Sequence, residues 1–407
     1  MSFSAPPRVA LRRRKRYLWI WLPLLLVVVM AALVAGILYP HFISQVVTDI
    51  PIFTVPPFGG KQEVHLLLLG VDDVKRTGGL SDTIIIASID LHKHRLGAIS
   101  IPRDFRVEIP GHGIQKINAA YSLGGINLTR QTVENLTGVT LDYYMICSFR
   151  GFQQIVDAMG GVELEVEKRM RYRDRSQQLE INLQPGRQRL TGYQAMGYVR
   201  FRHDARGDLG RIERQQTFLK AVADQLLRPG NSRLAPRTME AICSNVKMER
   251  IGMNELRAIK HEVERVGLDN VRMASLSGRP HTIRGISYLE PDPQAAACLV
   301  DEIIYGRLPT LEVLNGTRID KLAVTVAQKL ANKGYPISTI GNAPASYSSS
   351  HVVNHSGWED QARRVGELIG CRQVWSDRHK ENDADITVVV GSDYISSANE
   401  APRSRAY

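Results

Sequence analysis

His65-Leu66-Leu67-Leu68-Leu69-Gly70-Val71-Asp72 is followed, after a short loop, by Leu80-Ser81-Asp82-Thr83-Ile84-Ile85-Ile86-Ala87-Ser88-Ile89-Asp90. Both apolar runs are continuous, without alternation. Short runs of this kind fit central strands covered on both faces. Leu96-Gly97-Ala98-Ile99-Ser100-Ile101 reads as a third strand. Working outward, helical patterns follow at about 117–124, 127–136 and 149–158, the last stopped by Gly160-Gly161. Val162–Val166 alternates and reads as a half-exposed strand. A helix at 191–197 leads into a strand at 198–202, and a helix covers about 209–227. A helix at 253–265, a strand near 270–276 and a helix near 292–305 complete the unit. Interleaved strands and helices predict an α/β/α sandwich around a central mixed sheet.

After Leu308-Pro309 a second, smaller α/β unit is expected. Its strands fall at 311–316, 335–340 and 386–390, and its helices at 318–333 and 357–369. The domain plan is therefore a basic tail at 1–16, an apolar span at 17–39 and a Pro/Gly spacer at 40–61. The main domain follows at 62–305, then the small domain at 309–392 and a polar, disordered tail at 393–407.

Tyr17 to Tyr39 is 23 residues without a charge, long enough as a helix to cross a bilayer. The basic run before it predicts a cytoplasmic N-terminus, with everything after residue 40 outside. A cleaved signal peptide is the rival reading, but its apolar core is normally only about 7–15 residues. The formal net charge of +11 includes six basic residues ahead of this span, which leaves +5 on the rest. That balance is weak evidence for nucleic-acid binding, and no helix-turn-helix is evident. The four cysteines show no CxxC spacing, so a zinc site is not indicated. Outside the cytoplasm a bridge is permitted, and Cys243 with Cys298 is the candidate pair.

The chemistry-bearing residues lie where strands end. Asp72 follows one buried strand and Asp82 opens the next, with Gly78-Gly79 between them to turn the chain. Such a pair offers Mg²⁺ what it prefers: one or two carboxylates beside phosphate oxygens and water. The competing reading makes both residues turn formers. Arg103 follows Pro102 at another strand end; a simple surface pair with Asp104 or Glu108 is its competing reading. In a strand at 198–202, Arg200 and Arg202 share a face. On the next helix Arg211, Arg214 and Gln215 share one at i, i+3 and i+4, continued by Phe218 and Val222. Asp208 suits the N-cap of that helix. Guanidinium groups aimed inward call for an anion, and they bind phosphate with two parallel hydrogen bonds. The alternative is a solvated basic face paired with Asp204, Asp208 and Glu213. Lys116, at the start of a helical run, reads equally as a phosphate ligand or a solvated first-turn lysine. His203, alone beside the arginines, reads as structural.

These residues form an ordered set: Gly70-Val71-Asp72, Leu80-Ser81-Asp82-Thr83, Ser100-Ile101-Pro102-Arg103-Asp104, Lys116-Ile117-Asn118-Ala119-Ala120-Tyr121, Gly160-Gly161-Val162, Leu190-Thr191-Gly192 and the Arg200–Gln215 block. Over about 62–305 the set resembles the LytR-CpsA-Psr family of membrane-anchored envelope proteins. The segment 309–392 resembles the small C-terminal domain named after LytR. The resemblance implies an apolar tunnel for a polyprenyl chain. It implies Mg²⁺-assisted transfer of a glycopolymer from a polyprenyl-pyrophosphate carrier to peptidoglycan as a phosphodiester. Hydrolysis of the lipid pyrophosphate, or non-catalytic binding of lipid-linked glycans, are the alternatives. Carried over by motif, Asp72 and Asp82 resemble the metal-side carboxylates. Arg103, Arg200, Arg202, Arg211 and Gln215 resemble pyrophosphate ligands, with Asp208, Lys116 and Arg214 as accessories. In one departure, Leu80 stands where many members carry Arg two positions before the second Asp. Arg76, inside the loop, could supply that contact.

Overall fold

The computed structural model describes residues 56–71, 79–174, 179–201, 234–267, 270–378 and 383–394. It also describes residues 214, 217, 218, 220–222, 224 and 225. Asp72, Arg76, Arg202, His203, Asp208, Arg211 and Gln215, the segments 1–16 and 17–39, most of the 40–61 spacer and the end of the tail lie outside the described residues. Among the described residues, no helix is long and apolar enough to cross a membrane. The chain divides into two compact units, with the boundary between Pro291 and Asp292.

The first unit is built on strands β1 (Glu63–Val71), β2 (Ser81–Asp90) and β3 (Arg95–Ser100). Further along come the hairpin β4 (Arg106–Ile109) and β5 (Gly113–Lys116), helix α1 (Ala119–Thr137), strand β6 (Tyr143–Ser148) and helix α2 (Phe149–Ala158). Strands β7 (Val162–Val166), β8 (Met170–Asp174), β9 (Leu179–Leu183) and β10 (Gly186–Leu190) lead to helix α3 (Gly192–Arg200). Helix α4 (Leu234–Asn245), β11 (Val246–Glu249), α5 (Met253–Val266), β12 (Arg272–Ser275), β13 (Gly278–Ile283) and β14 (Ile286–Pro291) complete it.

Six strands form the central mixed sheet, in the order β11-β6-β1-β2-β3-β12. The apolar runs behave as their composition requires. Leu66 and Leu68 of β1, Ile85 and Ala87 of β2, and Met145 and Cys147 of β6 point into one core. Phe152 and Ile155 of α2, Val199 of α3, Ile242 of α4 and Ile259 of α5 fill that core from the helical side. The alternate residues Leu67, Leu69, Ile84 and Ile86 are equally buried, on strands that α1 also meets at β2. Burial on both faces explains why these strands carry no polar alternation.

The strand expected at 198–202 is instead helical through Arg200, which corrects the period-two argument for Arg200 and Arg202. Thr191 caps α3, its hydroxyl accepting from the Gln194 amide while the Gln194 side chain accepts from the Thr191 amide. Tyr198 and Val199 then bury as part of a helix face. Gly192 sits so close to α2 that a Cβ there would lie 2.1 Å from the Gln153 carbonyl oxygen. The Leu190-Thr191-Gly192 motif is thus a cap followed by a close helix approach.

The second unit opens with helix α6 (Pro293–Val300), capped by the Asp292 carboxylate, which accepts from the Ala295 amide. The helix expected near 292–305 forms in this compact unit. Cys298 packs against this unit's core. Its sheet contains β15 (Leu311–Asn315), β16 (Ile337–Asn342), β17 (His351–Asn354), β18 (Val374–Ser376) and β19 (Ile386–Val390). The strand order is β16-β15-β19-β17-β18. Helices α7 (Leu322–Ala331) and α8 (Glu359–Ile369) bury Val326, Leu330, Val365 and Ile369 against Leu311, Val313 and Val388. The expected Cys243–Cys298 bridge is absent: all four thiols are free, and the two cysteines belong to different units.

Candidate functional site

The strand directions bring Asp82 and Arg103 to one edge of the six-stranded sheet. β1 and β6 run parallel and end at Val71 and Ser148. β2 runs antiparallel to β1 and therefore begins at this same edge. β3, antiparallel to β2, ends here at Ser100. In open α/β sheets the ends of strands are the usual ligand edge, because the loops there are free to carry functional groups.

Asp82 is placed by a β-bulge. Gly70 pairs with Thr83 and Val71 with Ser81, so the register skips Asp82. A bulge of this kind redirects a side chain out of the regular pleat. Gly70 makes it possible, since a Cβ there would lie 2.6 Å from Thr83 Cβ and Oγ1. The Asp82 carboxylate is 18% exposed, and its Oδ1 accepts from Arg103 Nη1 at 2.6 Å.

Arg103 lies just beyond β3, with its side chain 38% exposed. Its Nε lies 3.8 Å from Asp104 Oδ2. Burial opposes the Arg103 charge, but Asp82 and Asp104 outweigh it and raise its pKa above the usual arginine value. Asp104 in turn accepts from Lys116 Nζ at 2.7 Å, and the same ammonium lies over the Tyr288 ring at 5.6 Å. Lys116 closes β5 and does not begin a helix, contrary to the sequence expectation; α1 starts three residues later. Backbone hydrogen bonds tie the pieces together. The Ile117 amide donates to the Phe105 carbonyl, the Asn118 amide to the Arg103 carbonyl, and the Ser81 amide to the Asn118 carbonyl. Asp82, Arg103, Asp104 and Lys116 thus form one half-exposed row of alternating charge.

The other arginines are placed differently. Arg200 ends α3, with its guanidinium over the Phe149 ring at 4.8 Å, at the start of α2. Arg214 is 2% exposed. It donates to the Phe201 carbonyl at 2.8 Å and to Glu167 Oε1 at 2.9 Å. Phe218 and Val222, on the same helical face, are fully buried as their spacing predicts. Beside this group, burial and the Glu167 charge push the Tyr198 phenol up.

The Arg103–Asp104 pair is one the sequence already offers by adjacency. Tyr288 emerges only from the structure as a partner of the row, because β14 is distant in sequence. The donor set suits Mg²⁺ in kind. Among the described residues nothing donates to the second Asp82 oxygen, and half-exposed cations beside it offer phosphate contacts. No group of three metal-ligating side chains occurs among the described residues, and Asp72 lies outside them.

Residues 49–303 match the LytR_cpsA_psr family model. Residues 309–394 match a model described as LytR cell envelope-related transcriptional attenuator. Regulatory protein MsrR of Staphylococcus aureus strain COL is 34% identical over 173 residues, 42% of this chain and 51% of that protein. The chain thus spans about half the length of this relative. The Oceanobacillus iheyensis polyisoprenyl-teichoic acid–peptidoglycan teichoic acid transferase TagU is 33% identical over 235 residues, 56% of this chain and 71% of that protein. Among solved structures, protein gbs0355 of Streptococcus agalactiae shares the fold. It has a TM-score of 0.50 and 24% identity, covering 60% of this chain and 87% of that one. By its central sheet, its ordered strand-end motifs and the extent of these matches, the chain belongs to the LytR-CpsA-Psr family and carries a LytR-type C-terminal domain.

Proposed function

We propose that the chain is a membrane-anchored phosphotransferase that moves a glycopolymer from a polyprenyl-pyrophosphate carrier to peptidoglycan. The observation that carries the reading is the Asp82–Arg103 pair at the strand-end edge, extended by Asp104 and Lys116. A self-paired, half-exposed guanidinium is held in position without ligand and can exchange a carboxylate for a pyrophosphate oxygen at small cost. The name of the Oceanobacillus relative, a transferase acting on peptidoglycan, supports the same chemistry.

In the reaction a peptidoglycan sugar hydroxyl attacks the phosphorus that bears the glycopolymer. The bridging P–O bond breaks, polyprenyl phosphate leaves, and the hydroxyl proton passes to a carboxylate, a role we assign to Asp72. Arg103 and Lys116 offset charge on the pyrophosphate as it develops. Arg200, Arg202, Arg211 and Gln215 are assigned as further pyrophosphate ligands, and Arg76 and Asp208 as accessories. Asp72 and Asp82 would hold Mg²⁺, which would supply charge neutralisation at the pyrophosphate. An apolar tunnel would hold the lipid and fix the phosphate at its mouth. The 17–39 segment would anchor the protein with its folded units outside the membrane.

The test incubates the full chain with a polyprenyl-pyrophosphate-linked glycopolymer and peptidoglycan, with and without Mg²⁺. Polymer joined to peptidoglycan through a phosphodiester is expected only with both metal and acceptor. Free polymer phosphate formed regardless of acceptor would replace transfer by hydrolysis. An unchanged donor would leave only binding.

A further inference from the structure

A second feature opens at the same sheet edge, on the other side of β1. A cleft of about 410 Å³ lies beside Val71, floored by β6 and β11 and walled by the start of α1 and the end of α4. Its volume falls in the ~300–1,000 Å³ range of small-ligand clefts. Its polar lining comes from Tyr121, Ser148, Ser244, Asn245 and Lys247.

The position is fixed by register. Val71 pairs with Ser81 on β2 and with Ser148 on β6. Neighbouring strands are about 4.8 Å apart, so the cleft wall at Ser148 and the strand carrying Asp82 are separated by roughly 10 Å. The last residue of β1 therefore stands between the charged row and the cleft, and the next residue in sequence is Asp72.

The chemistry differs from that of the charged row. Among the described residues a single cation, Lys247, lines the cleft, and no carboxylate does. One cation is a poor match for a pyrophosphate with its metal. The polar groups alternate with the apolar Val71, Ile146 and Val246, and this mixed lining is a poor match for a polyprenyl chain. They fit a glycan. Tyr121 offers a ring face and a hydroxyl. Ser148 and Ser244 offer hydroxyls, and Asn245 offers an amide carbonyl. Lys247 is exposed and suits a carboxylate carried on the glycan. The side chains of Tyr121 and Lys247 make no hydrogen bond or ion pair among the described residues, so both are available to a ligand. The floor is preorganised: Ser148 Oγ accepts from the Gly151 amide at 2.9 Å, and Asn245 Nδ2 donates to the Ala241 carbonyl at 2.8 Å.

We propose that this cleft is the acceptor subsite and receives a peptidoglycan glycan strand, presenting its hydroxyl across the end of β1 to the pyrophosphate. The inference rests on the transferase reading but does not need turnover for its test. Cys243 lines the cleft and is exposed. The other thiols are less accessible, Cys298 being half-buried. Cys147 and Cys371 are buried, and burial pushes Cys147 and Cys298 up to about 12. Alkylation of Cys243 in the full chain therefore reports occupancy of the cleft.

Soluble, uncrosslinked peptidoglycan strand fragments at saturation are expected to slow Cys243 alkylation about tenfold or more. The polyprenyl-pyrophosphate-linked glycan alone should leave the rate unchanged. Protection by the lipid-linked donor alone, or by neither ligand, overturns the assignment. Lys247→Ala should raise the KM for the glycan fragments several-fold, roughly the loss of one charge-assisted contact, with kcat and the KM for the donor retained. An unchanged acceptor KM in both Lys247→Ala and Tyr121→Ala would also overturn it. Protection without any transfer would retain the glycan cleft and reject the transferase reading instead.

Discussion

Two arginines in the same folded unit show how differently one side chain can be used. At the sheet edge Arg103 pairs with Asp82 and Asp104 yet stays 38% exposed. Beneath α3, Arg214 pairs with Glu167 and the Phe201 carbonyl and is 2% exposed. Both are paired, but only the first can exchange its partner for an incoming anion without unmaking the fold. An arginine beside a carboxylate is therefore not a site by its pairing alone. It becomes one when it is held at a strand end, half in water, with its neighbours also charged.

The comparison predicts opposite responses to truncation. Arg103→Ala should lower the transfer rate by roughly 10²–10³-fold, the scale of removing a donor from a developing oxyanion. Its unfolding free energy should change by less than about 1 kcal/mol, because a half-exposed pair contributes little. Arg214→Ala should behave in reverse, losing about 3 kcal/mol in denaturant unfolding, since it strands a buried carbonyl and a carboxylate. Arg214→Lys should not restore that stability, because a point charge cannot bridge both acceptors. Equal stability losses for the two alanine variants would erase the distinction.

Gly192→Ala probes the support beneath Arg200. With a Cβ 2.1 Å from the Gln153 oxygen, α2 and α3 must part, at about 2 kcal/mol. A thermal melt should register that loss, whereas an unchanged melt would mean the helices already give way freely.

The smallest expected effect lies in the second unit, where charged groups serve as ties. Arg378 pairs with Asp292 and Glu359, and Asp385 Oδ2 accepts from the Thr310 amide and hydroxyl. His351 stacks on Trp375 at 4.8 Å. Burial lowers its pKa, against the raising effects of the Ser349 carbonyl and Asp393. The unfolded chain then binds the proton more readily. Stability from this histidine is present above about pH 6.5 and is lost as pH falls below it. Melts across that range should show the decline for the wild type and less of it for His351→Gln.

Much of the site was readable because its signals are local. Buried strands announce themselves by unbroken Leu and Ile, and Asp82 and Arg103 sit beside those runs. The error at 198–202 has a physical source. Val199-Arg200-Phe201-Arg202 alternates like a strand, but the capping box at Thr191 starts a helix whose buried face takes Tyr198 and Val199. Arg214 was assigned to the right buried face, since Phe218 and Val222 extend it. Its partners could not be read, because Glu167 lies 47 residues away. The β17–β18 pair was hidden for a similar reason, as short strands flanked by Ser-rich sequence gain their order from β19.

The central claim is that the Asp82–Arg103 edge receives the pyrophosphate. Binding of a polyprenyl-pyrophosphate-linked glycan should be measured for the wild type and Arg103→Ala, with the unfolding midpoint followed alongside. The account predicts affinity weakened about tenfold or more, as expected for a lost charge-assisted contact, at an unchanged midpoint. Equal affinity in the two proteins would contradict it.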